Sequence, residues 1–298
     1  MFFKKRHKTT LYLVSFLACN PLLLFTLQAA EDVEIMTSKA LASFPTPKAD
    51  YKIFYGDDPL QFGELSLPKG DGPFPIVMFI HGGCWLSQFD ITSTRNLARN
   101  LANEGIAVWN VEYRKVGDKG GEWPATFKDI SAAGDFISTF VDHYNIDMNN
   151  FTVSGHSAGG HLALWYANRP AEFKRNKSLT PNAVVALAPA ADLRHLSGTK
   201  ACGSVVDKLM GGTPMEVPQR YELGDGVDRA PINVPQTVII GKYDTSWSPV
   251  AKRYAAAAKA KGATVSIVHA PNSGHFEMID PRTNTWRLVL NAYKKHIN

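Results

Sequence analysis

Apolar residues in this chain arrive in short runs separated by stretches of helical period. Residues 51–55 and 60–67 alternate apolar with polar positions, which predicts an antiparallel edge pair. The runs 75–80, 106–111, 151–153, 183–188, 237–241 and 264–268 predict six further strands. Between them lie helical patterns. Pro124 can open a helix whose inner face is Phe127, Ile130, Ala133, Gly134, Ile137, Phe140, Val141 and Tyr144. Residues 92–103, 161–167, 249–260 and 283–296 also read as helices. Strands that alternate with helices predict an α/β architecture, a mostly parallel eight-stranded sheet flanked by helices.

Two segments break the pattern. Residues 31–50 carry Pro45 and Pro47 and no clear period, so they read as a mobile lead-in. Residues 191–235 carry Gly211, Gly212, Pro214, Pro218, Gly224, Gly226, Pro231 and Pro235, with a short helical pattern at 205–210. So long a stretch between two sheet strands is uncommon without a role, and it reads as a small lid.

The first 30 residues stand apart. Lys4, Lys5, Arg6 and Lys8 precede an apolar stretch from Leu11 to Leu27, then Ala29, Ala30 and the acidic Glu31 and Asp32. That order predicts a signal peptide at 1–30 and an exported domain at 31–298, periplasmic or secreted, with a retained membrane anchor as the alternative. Without the leader the formal charge of +5 falls to +1. The basicity is therefore mainly a targeting feature and gives no footing for nucleic-acid binding. The 45% apolar content suffices for one large core. Beyond the leader only Cys84 and Cys202 remain. They could pair in an oxidising compartment, and neither belongs to a zinc-spaced cluster.

The candidate chemistry centres on Gly155-His156-Ser157-Ala158-Gly159, where an apolar strand runs into a glycine-flanked serine and then a helix. That context predicts a nucleophile held on a sharp turn. A second glycine loop, His81-Gly82-Gly83-Cys84-Trp85, ends the strand at 75–80. Backbone N–H groups of Gly83, Cys84 and Ala158 are candidate oxyanion donors, and His81 reads as a brace for its loop. The thiol of Cys84 is not required for that role. A general base should follow the serine in the chain. His275, in a glycine-preceded loop past the last strand, is preferred to His269, which the strand pleat would fix. Asp244, at the carboxyl end of the strand at 237–241, is the candidate acid and Asp192 its rival. The commonest task of an aspartate after a strand is to cap a helix.

Taken together, His81-Gly82-Gly83-x-Trp85, Gly155-x-Ser157-Ala158-Gly159-Gly160, Asp244 and Gly274-His275-Phe276 resemble the α/β-hydrolase superfamily. The likeness is greatest to its esterase/lipase branch of hormone-sensitive-lipase-like and kynurenine-formamidase-like enzymes. Glu112-Tyr113-Arg114 resembles an acidic-Tyr-Arg segment of that branch. The likeness spans roughly residues 50–295 and departs from the pattern at Cys84, where many esterases have glycine, and at His156, where the lipase-like members often have aspartate. It implies a serine hydrolase with a Ser157-His275-Asp244 triad and no cofactor or metal, acting on esters of small or medium acids. Amide hydrolysis is the alternative chemistry, and a non-catalytic binding module the alternative of another class. Trp85, Trp123 and Trp247 could line the small-molecule pocket or serve only packing.

Overall fold

The computed structural model describes residues 34–174 and 178–297, so the expected leader lies outside the described residues. The chain enters through a short helix, α1 (Ser38–Ala42), and an antiparallel pair, β1 (Tyr51–Phe54) and β2 (Phe62–Ser66). Strands and helices then alternate: β3 (Phe74–Ile80), α2 (Arg95–Asn103), β4 (Ala107–Val111), α3 (Ala125–Phe136), β5 (Ile146–His156), α4 (Ala158–Ala167) and β6 (Ala183–Leu187). Four short helices follow, α5 (Leu193–Leu196), α6 (Val205–Met210), α7 (Pro218–Gly224) and α8 (Gly226–Arg229). β7 (Gln236–Gly241), α9 (Ser248–Ala260), β8 (Val265–Ala270) and α10 (Trp286–Lys294) complete the fold.

The eight strands form one sheet in the order β1-β2-β4-β3-β5-β6-β7-β8. β1 and β2 pair antiparallel, β2 meets β4 antiparallel, and the other neighbours are parallel. Alternate side chains of β3 show why the central runs are apolar throughout. Ile76, Met78 and Ile80 pack on the face covered by α3, α4 and α9, while Val77 and Phe79 pack on the face covered by α2 and α10. A strand covered on both sides has no polar face to spare.

The pattern was misleading in two places. The helix opened after Pro124 ends at Phe136 and passes into a 3-10 turn at Ile137–Thr139. Ile137 and Phe140 are buried all the same, so the apolar face continues after the helix has ended. The lead-in, expected to be mobile, is docked in its described part. Thr37 caps α1 by accepting from the Ala40 N–H at 3.1 Å. The Met36 N–H donates to Glu277 at 2.6 Å, and Arg282 lies 3.2 Å from the centre of the Phe44 ring. A five-residue helix is too short to show a period, and its anchors lie more than 200 residues away.

Candidate active site

The carboxyl ends of β3, β5, β7 and β8 bring the candidate residues together. β3 and β5 are adjacent, with Ile80 opposite Gly155, so the loop after one lies beside the turn after the other. Ser157 occupies that turn with φ +56° and ψ −116°, a conformation an L-residue adopts only when its surroundings enforce it. Its N–H donates to Leu187 O at 2.8 Å, and its carbonyl accepts from His161 and Ala190 N–H. The flanking glycines are steric necessities. A Cβ on Gly155 would lie 2.2 Å from Gly159 O, and one on Gly159 would lie 2.0 Å from Ile80 O. Strand, turn and helix can therefore pass this closely only with hydrogen at both positions.

The His81–Trp85 loop packs directly on the serine. A Cβ on Gly82 would lie 3.2 Å from Ser157 Cβ. Gly83, Cys84 and Trp85 then adopt φ of +110°, +57° and +53° in succession. Ala158 opens α4, where the first N–H groups of a helix lack a partner within it and the positive end of its dipole faces outward. Beneath the loop, His81 Nε2 lies 3.0 Å from Glu112, and Nδ1 lies 2.7 Å from Gly82 O. Glu112 also pairs with the buried Lys115 and accepts N–H bonds from Ile91 and Tyr113. Burial alone would raise the Glu112 carboxyl, but His81 and Lys115 outweigh it and hold it down at about 2.

His275 sits in the loop after β8, and its Nδ1 lies 2.7 Å from Asp244 Oδ2. Asp244 is buried, and its other oxygen accepts the Trp247 N–H at 3.0 Å. The imidazole stacks on Trp247 with ring centres 5.7 Å apart and keeps 15% of its side-chain surface exposed. Its carbonyl accepts from His156 Nε2 at 2.8 Å. Burial, then the adjacent His275, push the His156 imidazole well below its ordinary value, so it serves as a neutral donor. Gly241 is needed where β7 meets this loop, since a Cβ there would lie 2.2 Å from Gly274 O. Glu277 holds the loop from the other side, accepting from Gly274 N–H at 2.8 Å as well as from Met36.

The rivals lie elsewhere. His269 is an exposed residue of β8 in register with Ile240. Asp192 caps α5 through the His195 N–H at 3.0 Å and pairs with Arg253 at 2.7 Å. Sequence reasoning left the pairing of the cysteines open, and the structure joins Cys84 to Cys202 in a disulfide. It also missed Glu277 and the bracing role of His156, which reach Met36 and His275 across the chain, and Lys115, whose partners Glu112 and Tyr113 are near in sequence but whose burial no local pattern marks. Glu112-Tyr113-Arg114 was visible as a motif. Among the described residues no cluster of three or more His, Cys, Asp or Glu could hold a metal, and no helix is long and apolar enough to cross a membrane.

The α5–α8 insertion between β6 and β7 packs near the same end. Gly224 O accepts from His161 Nε2 at 2.8 Å, Leu223 O accepts from Trp165 at 2.8 Å, and the Cys84–Cys202 bond ties it to the glycine loop. Within it, burial pushes the Asp225 carboxyl up to about 6, although it caps α8.

The BD-FAE family model matches residues 64–248. The chain is 25% identical over 261 residues to esterase LipC of Mycobacterium tuberculosis, covering 80% of this chain and 64% of that one. It is 22% identical over 213 residues to kynurenine formamidase of Drosophila melanogaster, covering 69% of this chain and 67% of that enzyme. Esterase B from Lactobacillus rhamnosis superposes with a TM-score of 0.73 at 22% identity, over 87% of this chain and 89% of that one. The chain thus spans a little under two thirds of the mycobacterial esterase, and the likeness to esterase B is one of fold. A family match over most of the folded region, on an eight-stranded sheet carrying a glycine-flanked serine turn, makes this chain a member of the BD-FAE family within the α/β-hydrolase esterase/lipase superfamily.

Proposed function

We propose that the protein is a serine carboxylesterase for small or medium acyl groups. The observation that carries this reading is the His275–Asp244 pair at 2.7 Å, in a loop bonded to His156, the residue before Ser157, a serine on a positive-φ turn. Ser157 Oγ attacks the ester carbonyl while His275 Nε2 takes its proton, and Asp244 stabilises the resulting imidazolium. The oxyanion is bound by the N–H groups of Gly83, Cys84 and Ala158. His275 returns the proton to the departing alcohol, and water then hydrolyses the acyl-enzyme by the reverse sequence. None of these steps calls for a metal or organic cofactor.

The names of LipC and esterase B support ester chemistry, and esterase B has been crystallised with a tributyrin phosphonate inhibitor. The insertion at 191–235 is proposed as the small lid that bounds the substrate pocket. A disulfide supports export to an oxidising compartment. The match to a kynurenine formamidase favours amide hydrolysis as a second reading, since the same groups serve both reactions. Turnover of p-nitrophenyl esters of increasing chain length, set beside a formanilide, separates the two. The proposal expects acetate or butyrate to be preferred by kcat/KM. A formanilide turned over faster than every ester would favour the second reading, and no turnover of any ester would end the first.

A further inference from the structure

The disulfide joins two unusual pieces of backbone. Gly83, Cys84 and Trp85 have φ of +110°, +57° and +53°, and Cys202, Gly203 and Ser204 have φ of +51°, +69° and +63°. L-residues visit this region singly and at a cost of roughly 1–2 kcal/mol each. Within the first run each residue is held differently. Gly83 has no Cβ to strain. Trp85 is fully buried and meets His161 edge-on at 5.5 Å. Cys84 is only partly buried where it meets the core, and its further restraint is the bond to Cys202, across a Cα–Cα separation of 5.6 Å. A single glycine would need no such bond, because it adopts positive φ freely.

We infer that Cys202 is a positioning residue for the oxyanion hole. Its bond to Cys84 holds a residue with a side chain in the left-handed conformation that the donor loop requires, a task that glycine's freedom would otherwise perform. This inference rests on the assignment of Cys84 N–H as an oxyanion donor. With the bond open, a left-handed Cys84 competes with ordinary negative-φ conformers, and the donor is in place for only a fraction of encounters. Turnover falls, while the ground-state binding of a small ester changes little.

The test compares oxidised protein, protein reduced by a phosphine, and three variants: Cys202→Ser, Cys84→Ser with Cys202→Ser, and Cys84→Gly with Cys202→Ser. Reduction gives two thiols: the phosphine supplies two electrons and becomes its oxide, and water supplies the oxide oxygen and the two protons. The readouts are kcat and KM for p-nitrophenyl acetate and the Tm of each form. The reduced protein, Cys202→Ser and the double serine variant are expected to lose roughly tenfold in kcat, with KM within about twofold, in keeping with the cost of one left-handed residue. Cys84→Gly with Cys202→Ser should recover most of the lost kcat while its Tm stays lowered, because glycine restores the loop but not the cross-link. A crosslink that only stabilised the fold could not give that split. Unchanged kcat on opening the bond, or a glycine variant as slow as the double serine variant, would overturn the inference. Failure of the underlying reading is distinct: Cys84→Pro, which lacks the N–H, would then keep turnover near wild type, and failure of the serine mechanism itself would leave Ser157→Ala active.

Discussion

The loop that carries the proposed oxyanion donors and the loop that carries the proposed base both pack on His156, yet they are held in different ways. The first, at 81–85, is fixed through its backbone. It has three left-handed residues in succession, a disulfide at Cys84, and a buried His81–Glu112–Lys115 network beneath it. The second, at 272–277, has no covalent tie among the described residues. It is pinned by hydrogen bonds at Ser273 O, Gly274 N–H and His275 O, and its imidazole is held by Asp244 and Trp247. The difference follows from the chemistry. An oxyanion hole works by not having to reorganise, so its donors gain from rigidity. A base must pass a proton between two oxygens in turn, so its loop is anchored at main-chain groups and its ring is oriented by Asp244.

The largest expected effect removes the base. His275→Ala should lower kcat by about 10⁴-fold, and Asp244→Asn should approach it, because the aspartate fixes the imidazole tautomer. His269→Ala and Asp192→Asn should each stay within a few-fold of wild type. Steady-state turnover of a p-nitrophenyl ester checks all four, and a reversed ranking in either pair would reassign that role.

Striking the donor loop should come next. Cys84→Pro removes the N–H and forces φ near −65°, against the observed +57°. Loss of one oxyanion donor typically costs about 10²–10³ in kcat. Activity close to wild type would show that Cys84 is no donor and that the contrast between the two loops has been drawn in the wrong place.

A smaller effect separates the anchors of the base loop. Glu277→Ala leaves the Gly274 and Met36 N–H groups without their partner, at about 1–3 kcal/mol for each buried one. A lowered Tm with roughly tenfold lower kcat is expected, and Glu277→Gln, which keeps one accepting oxygen, should fall between. A Glu277→Ala protein with unchanged Tm would show that the lead-in does not secure this loop.

The smallest effect is on pH dependence, and it belongs to the donor loop. Glu112 is held at about 2 in the folded protein against an ordinary 4.5. A depressed carboxyl contributes stability that is fully present above about pH 4.5 and is lost as pH falls through 2. Urea unfolding at stepped pH should show this decline, and Glu112→Gln should lack that part of the slope while being less stable at neutral pH. An identical slope in the variant would mean that other carboxylates account for it.

Much of this arrangement could be read from the sequence, because it is local. Gly155 and Gly159 flank Ser157 in one five-residue motif, although the atom that forbids a Cβ on Gly159 is Ile80 O of the adjacent strand, and the central strands are apolar on both faces. His275 and Asp244 were legible from chain order and from their places after strands. What was not legible is held together across the chain. Glu277 clasps Met36 from 241 residues away, and Cys84 meets Cys202 across 118. No local period records such contacts. His156 was hidden for the same reason, since it bonds His275 O across 119 residues, whereas Lys115 pairs with the nearby Glu112 and was hidden because a lysine is seldom read as buried.

The central claim is that Ser157 is the nucleophile. The most direct measurement is labelling of the purified protein with a fluorophosphonate, followed by peptide mapping. One covalent adduct on Ser157 is expected, with loss of esterase activity in step with labelling, and neither labelling nor turnover in a folded Ser157→Ala protein. An adduct on another residue, or a Ser157→Ala protein that still hydrolyses p-nitrophenyl acetate at a rate near wild type, would contradict it.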